Sequence, residues 1–343
     1  MNERVNNSMY YDINTSLKVG MPYTIVLGAR GIGKTYSSLI ECVKNYRGRF
    51  LYLRTRDKEI ALSCKPLLNP FNRINRDNSW NIVIEKMGDI GAIKDKDNDD
   101  EIIGMACALS TFNNVRGVDF GDIDIIIHDE AMLERGTHKA INYSVDTFLN
   151  MYETINRNRE LEGKIACKYV FLGNSTSIMN PILTGLNLVP VIEKMIKEGT
   201  HRYTDRNRGI LIDRPNMIEY NRNKKNTALY KLSSGTEFYE HAINNEFAYD
   251  SFMNVCGKKN LNEYVAIVAI DDIYIYKHKS NGKYYACRSR ASCAQFTTKD
   301  TYAYFLRKYG IWIREYYSNG DMEFSEFQIK ALLGDILRVS TYK

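Results

Sequence analysis

From residue 22 to about 200 the chain alternates short apolar runs with helix-length amphipathic stretches. The runs are 23–27 (YTIVL), 49–54 (RFLYLR), 102–109 (IIGMACAL), 123–128 (IDIIIH) and 168–173 (KYVFLG). Apolar runs of strand length with little polar alternation fit strands covered on both faces. Helix-length spacers between them predict a mainly parallel sheet with helices on either side. Residues 94–101 (KDKDNDDE) break the pattern as a polar turn or hairpin tip. The character changes over 201–231, where eight Lys/Arg face three Asp/Glu, and this stretch reads as a linker or small basic subdomain. Farther on, 264–276 (YVAIVAIDDIYIY) and 284–288 (YYACR) flank a Lys-Ser-Asn-Gly-Lys turn, a hairpin signal. Helical periodicity returns at 323–338 (EFSEFQIKALLGDILR). The expected division is an α/β domain over 1–200, the basic linker over 201–235, and a smaller α+β domain over 236–343. No internal repeat or low-complexity tract stands out.

Composition narrows the possibilities. The length of 343 residues suits two domains, and an apolar fraction of 44% is ordinary for a globular protein. No run approaches the roughly 20 apolar residues of a membrane span, so no membrane partner is expected. The first residues, MNERVNNSMYYDINTS, lack the apolar core of a signal peptide, which predicts a protein that stays in the cell that makes it. Seven cysteines without a CxxC pair argue for reduced thiols. A net charge of +6 permits contact with nucleic acid without requiring it.

Residues 28–35, Gly28-Ala29-Arg30-Gly31-Ile32-Gly33-Lys34-Thr35, match the phosphate-binding loop pattern G-x-x-x-x-G-K-[ST] in full. The glycines let the backbone curl so that successive N–H groups face a phosphate. A helix beginning near Lys34 adds its positive end. Lys34 can reach the β- and γ-oxygens, and Thr35 can offer its hydroxyl to Mg²⁺. The preceding strand and following helix supply the context this motif requires.

A second site must hold the metal and activate water. The run 123–130 (IDIIIHDE) carries Asp129 and Glu130 to a strand's carboxyl end, where doubly wound sheets place ligands. Asp129 is the candidate for Mg²⁺, and Glu130 for polarising the attacking water. The pair is expected at the tip of a strand adjacent to the loop's own. The glutamate favours an ATPase over a slow GTPase switch, and no NKxD-like guanine reader is present, so ATP is the expected nucleotide. Hydrolysis also needs positive charge on the developing phosphate oxygens. The segment ETINRNRE (153–160) offers Arg157 and Arg159, expected on a helix but on different faces. After the strand 168–173, Asn174 is placed to sense the γ-phosphate or to make an ordinary turn.

The set GARGIGKT, IIIHDE, NRNRE and LGNSTSIMNPILTGLNLVP resembles the genome-packaging ATPases of small tailed bacteriophages, ring motors akin to large terminases and FtsK/HerA-type translocases. The resemblance covers roughly residues 20–195. It implies an ATPase domain of the ASCE phosphate-loop type over 1–200, with Lys34 and Thr35 on phosphate and Mg²⁺, and Asp129 and Glu130 as the metal and water carboxylates. It makes Arg157 a finger presented to the next subunit, Asn174 a coupling residue, and Arg116 a basic residue near the neighbour's nucleotide. Arg54, at a strand end where relatives also carry arginine, is left unassigned. A homo-oligomeric, five-fold ring is implied, docked on a viral portal of a procapsid in the host cell cytoplasm and threading double-stranded DNA. Whether a packaging RNA lies between ring and portal is left open.

The resemblance also implies a ribonuclease-H-like C-terminal domain without nuclease activity. Two-metal cleavage needs converging carboxylates. Asp271 and Asp272, adjacent in a strand pattern, would face opposite sides of a sheet, and Asp321, Glu323 and Asp335 fall in a turn and a helix. DNA contacts should be directed at phosphates, because a motor grips every step of its track. The candidates are Arg202, Arg206, Arg208, Arg222, Lys224 and Lys225, with Lys58 and Lys65 unranked. Two other classes share the phosphate loop. A helicase or plasmid translocase would unwind or move DNA without a capsid. A non-enzymatic portal adaptor would bind nucleotide without multiple turnover.

Overall fold

Ile125, Ile126 and Ile127 are wholly buried, as are Phe50 to Leu53, which places both runs in the middle of a sheet covered on its two faces. In the computed structural model, which describes residues 9–115, 120, 123–132, 144–174, 177–236, 239 and 252–337, they are two of nine strands of a large mixed sheet. These are β1 (Tyr23–Gly28), β2 (Phe50–Arg54), β3 (Ile82–Met87), β4 (Ile90–Asp95), β5 (Glu101–Ala108), β6 (Ile125–His128), β7 (Lys168–Asn174), β8 (Arg202–Asp205) and β9 (Ile210–Asp213). Their order is β3-β4-β5-β2-β6-β7-β1-β9-β8. The six strands from β5 to β9 in that order pair in parallel, and β3, β4 and β8 add antiparallel edges.

Helices Lys34–Asn45 and Val145–Asn156 follow β1 and β6 in sequence. The first buries Leu39, Cys42 and Val43, and the second buries Phe148, Met151 and Ile155. Strand β7 lies between β1 and β6, so the acid pair hangs from the next strand but one, not from the neighbour expected.

Three expectations change. The basic stretch 201–235 does not begin as a linker. Its hairpin β8–β9, closed by Gly209 at φ +66°, extends the main sheet, and Ile210, Leu211 and Ile212 are buried beside β1. The run 264–276 is not one strand. Asp271 and Asp272 form a two-residue turn, with Asp271 at φ +50°, between β10 (Tyr264–Ile270) and β11 (Ile273–His278). The helix expected from 323 starts at Phe327, after a short strand.

The chain divides into two compact units, Met1–Leu186 with Lys194–Ala248, and Asn187–Glu193 with Tyr249–Lys343, each over its described residues. In the second, β12 (Tyr284–Cys287), β13 (Ala294–Phe296) and β14 (Met322–Phe324) complete a sheet ordered β13-β10-β11-β12-β14. Its core joins Ile270, Ile275 and Ala286 to Ile313, Tyr317, Leu333 and Leu337 of the helices Ile311–Asn319 and Phe327–Leu337. Of the acids of this unit, Asp271 accepts from Thr298, Asp272 pairs with Arg288, and Glu323 pairs with Lys259. Among the described residues no three acids, histidines or cysteines stand together to hold a metal ion, and no helix is long and apolar enough to cross a membrane.

Candidate active site

Strand β1 ends in a loop whose tightest points are Gly31 (φ +85°) and Gly33 (φ +92°), backbone that side chains rarely adopt. Gly33 leads directly into the helix Lys34–Asn45. Ala29 and Ile32 turn inward and are buried, whereas Arg30 is exposed. Lys34 is also buried. Its Nζ donates to the carbonyls of Gly28 and Ala29, each at 2.8 Å, and to Asn174 Oδ1 at 3.1 Å. Burial pushes its ammonium down to about 8, against the pull of Asp129 and Glu130. Such a charge is costly to bury, and a phosphate at the loop would offset that cost.

Asn174 faces Gly28 in the β1–β7 register, which brings it to Lys34. One strand farther, Asp129 Oδ1 accepts from Thr35 Oγ1 at 2.7 Å. The phosphate-loop hydroxyl and the strand-end carboxylate therefore meet, although 94 residues separate them. Oxygen donors of this kind fit Mg²⁺.

Arg54, at the end of β2, closes the site from the other side. Its guanidinium reaches Asp129 Oδ2 at 3.3 Å and Glu130 Oε2 at 2.6 Å, with Glu59 at 3.6 Å. Tyr52 donates to the same Asp129 oxygen at 3.1 Å. Glu130 adopts φ +48°, and its side chain is 57% exposed, with Oε2 engaged by Arg54. Beneath the acids, His128 bonds Tyr169 through Nδ1 and Thr55 through Nε2, and burial, with Arg54 nearby, pushes it down to about 3, so it is neutral. Ala131, next after the acids, is fixed by its N–H on Leu172 and by Asn180 Nδ2 on its carbonyl. Asn180 also caps the helix Pro181–Gly185.

Arg54 turns a strand-end charge into a clamp on both acids. Arg54→Ala is expected to cost about 2 kcal/mol of folding stability, less than for a fully buried pair because Glu130 is partly solvated. Urea denaturation beside the exposed control Lys58→Ala, expected within about 0.5 kcal/mol of wild type, measures it. Equal loss in both variants contradicts the clamp.

Other expected residues lie elsewhere. Arg157 ends the helix Val145–Asn156 at φ +45°, exposed, with Nε donating to Thr154 O at 3.4 Å. Both Arg157 and Arg159 therefore follow the helix instead of riding on it. Arg159 pairs with Asp124 and donates to Ile123 O. Arg116 lies outside the described residues. Of the DNA candidates, Arg202, Arg206, Arg208, Arg222 and Lys225 are exposed; so are Lys58 and Lys65. Arg202 pairs with Asp213 at 2.9 Å, and Arg208 donates to Leu186 O at 2.6 Å. Lys224 is a correction. It is buried, with Nζ 3.4 Å from Arg30 O, and so faces the phosphate loop instead of an external track.

Arg54, Tyr52 and Asn180 carry roles that the sequence did not assign. The Asn-Pro pair at 180–181 was a legible signal, since asparagine before proline favours a helix start. Arg54 and Tyr52 act across strands, and nothing local marks them.

The family model described as podovirus DNA encapsidation protein (Gp16) matches residues 5–308. The DNA packaging protein of Bacillus phage phi29 is 27% identical over 250 residues, covering 72% of this chain and 68% of its own length. That of Bacillus phage B103 is 29% identical over 262 residues, covering 76% and 68%. The fold is similar to that in a structure of the bacteriophage Phi-29 viral genome packaging motor assembly, with a TM-score of 0.65 at 22% identity over 97% of this chain and 100% of that one.

Proposed function

This chain belongs to the podovirus DNA-encapsidation protein (Gp16) family, and from that premise we propose that it is the ATP-hydrolysing subunit of a homo-oligomeric ring, five-fold in number, that drives double-stranded DNA through a portal into a viral procapsid. The observation that carries the enzymatic part is the pair of contacts Lys34–Asn174 and Thr35–Asp129, which join the phosphate loop to the ends of β7 and β6.

The loop 28–35 receives the triphosphate, and Lys34 exchanges loop carbonyls for phosphate oxygens of opposite charge. Thr35 and Asp129 would hold Mg²⁺, which would supply positive charge against the negative charge developing on the phosphates. The carboxylate of Glu130 orients water and takes its proton. Arg54 fixes the carboxylate's direction through Oε2. Asn174, bonded to Lys34 at one end of β7, links occupancy at the phosphates to that strand. Arg157 stabilises the transition state in the neighbouring subunit. Exposed Arg206, Arg222 and Lys225 contribute sequence-independent contacts to DNA phosphates.

Lys34→Ala tests the site. Losing charge-assisted bonds to phosphate should weaken ATP binding roughly 10- to 100-fold, measured by calorimetry, with DNA-stimulated turnover in the presence of procapsids falling alongside. Unchanged ATP affinity removes the loop from the reaction.

A further inference from the structure

Two tyrosines from distant parts of the sequence stand against the phosphate loop, and the chemistry described above uses neither. The Cβ and ring of Tyr10 come within 3.4–3.9 Å of where a side chain on Gly33 would begin. The hydroxyl of Tyr220, on the helix Ile218–Lys224, comes within 2.5 Å of the same point on Gly31 and donates to Arg30 O at 3.4 Å. The rings approach each other at 5.9 Å between centroids, tilted by 57°. Tyr10 is 44% exposed beside the loop.

Both rings are held in place. Tyr11 donates its N–H to Ile32 O at 2.8 Å, which ties the segment carrying Tyr10 to the loop backbone. The Tyr11 hydroxyl meets Ser16 Oγ at 2.7 Å, Ser16 donates to buried Asp213, and Asp213 pairs with Arg202 at 2.9 Å. Ile13 N donates to Ser37 Oγ at 2.8 Å, fastening the same segment to the loop's helix. On the other side, the Lys224 ammonium lies 5.5 Å from the Tyr220 ring centroid and 4.8 Å from that of Tyr230.

We infer that Tyr10, flanked by Tyr220, is the platform on which the heteroaromatic base of the nucleoside triphosphate stacks. Lys224 and the Tyr11–Ser16–Asp213–Arg202 chain are positioning residues for it. A base is a flat π-surface attached to a polyanion, and the loop fixes the polyanion within reach of a pre-placed ring. Stacking on an immobilised ring requires little further ordering, so the contact adds to affinity. The assignment rests on the nucleotide reading of residues 28–35.

The test compares ATP with inorganic tripolyphosphate, each with Mg²⁺, by calorimetry on the full chain. Tyr10→Ala should weaken ATP roughly tenfold and leave tripolyphosphate unchanged. Tyr10→Phe should bind both ligands as wild type does. Tyr10→Leu fills the volume without a π-face and should reproduce the alanine result. Equal loss of both ligands, or loss of neither, in the alanine and leucine variants overturns the platform and leaves the rings as loop packing. Wild-type protein that binds neither ligand overturns the nucleotide reading, and the platform falls with it.

Discussion

Glu130→Gln is expected to lower ATP turnover by about two to four orders of magnitude, the usual contribution of a positioned general base, while ATP binding persists. Glutamine has the same shape, and its carbonyl oxygen can still accept from Arg54, which now holds Glu130 at 2.6 Å. The left-handed backbone at residue 130 and the bonds that fix Ala131 do not depend on the carboxylate. What disappears is the proton acceptor. Removing one negative charge near Lys34, whose ammonium Glu130 helps to keep protonated, leaves a more electropositive phosphate site. Affinity for ATP should therefore hold or rise. Phosphate release in single-turnover experiments, alongside equilibrium ATP binding, separates the two quantities. A variant whose turnover stays within roughly tenfold of wild type removes Glu130 from the role of base, and one that loses binding instead makes it structural.

The reach of the sequence followed how local each constraint is. Phosphate binding demands given residue types at fixed spacing, so residues 28–35 were legible, including the strand and helix around them. Strand β6 was legible because it is buried on both faces, leaving a run of isoleucines that ends in two acids. The hairpin β8–β9 was missed because the apolar run of its inner strand is three residues long, Ile210 to Ile212, and sits among arginines. Counting charge over 201–231 described a surface and hid the strand beneath it. Asp271 and Asp272 were misplaced because a two-residue turn leaves no gap in a run of 13 mostly apolar residues. Lys224 shows the same limit at the side-chain level. Its neighbours in sequence, Asn223 and Lys225, are exposed, and only packing against Tyr220 and Tyr230 turns it inward. Arg54 meets Asp129 across 75 residues, a pairing set by the β2–β6 register.

Arg157→Ala is expected to lower turnover by about three to five orders of magnitude, the range attributed to an arginine finger, with ATP affinity little changed. The helix Val145–Asn156 stops one residue earlier, and the turn after it is braced. Arg159 reaches Asp124 and the carbonyls of Ile123 and Ile165, while Asn156 accepts from Cys167 N at 2.8 Å. An exposed guanidinium on a stiff turn arrives at a partner already ordered, which suits a catalytic contact between subunits. Arg157 Nε donates to Thr154 O of the preceding helix, and its catalytic action is expected in trans. Mixing makes this decisive. Arg157→Ala subunits retain Glu130, and Glu130→Gln subunits retain Arg157, so each mixed interface of the right orientation rebuilds one working site. Turnover should be near zero for either variant alone and pass through a maximum at an intermediate ratio. Turnover that never exceeds the weighted mean of the two pure variants places the finger in its own subunit's site or removes it from the chemistry. Near-wild-type turnover by the Arg157→Ala ring removes it outright.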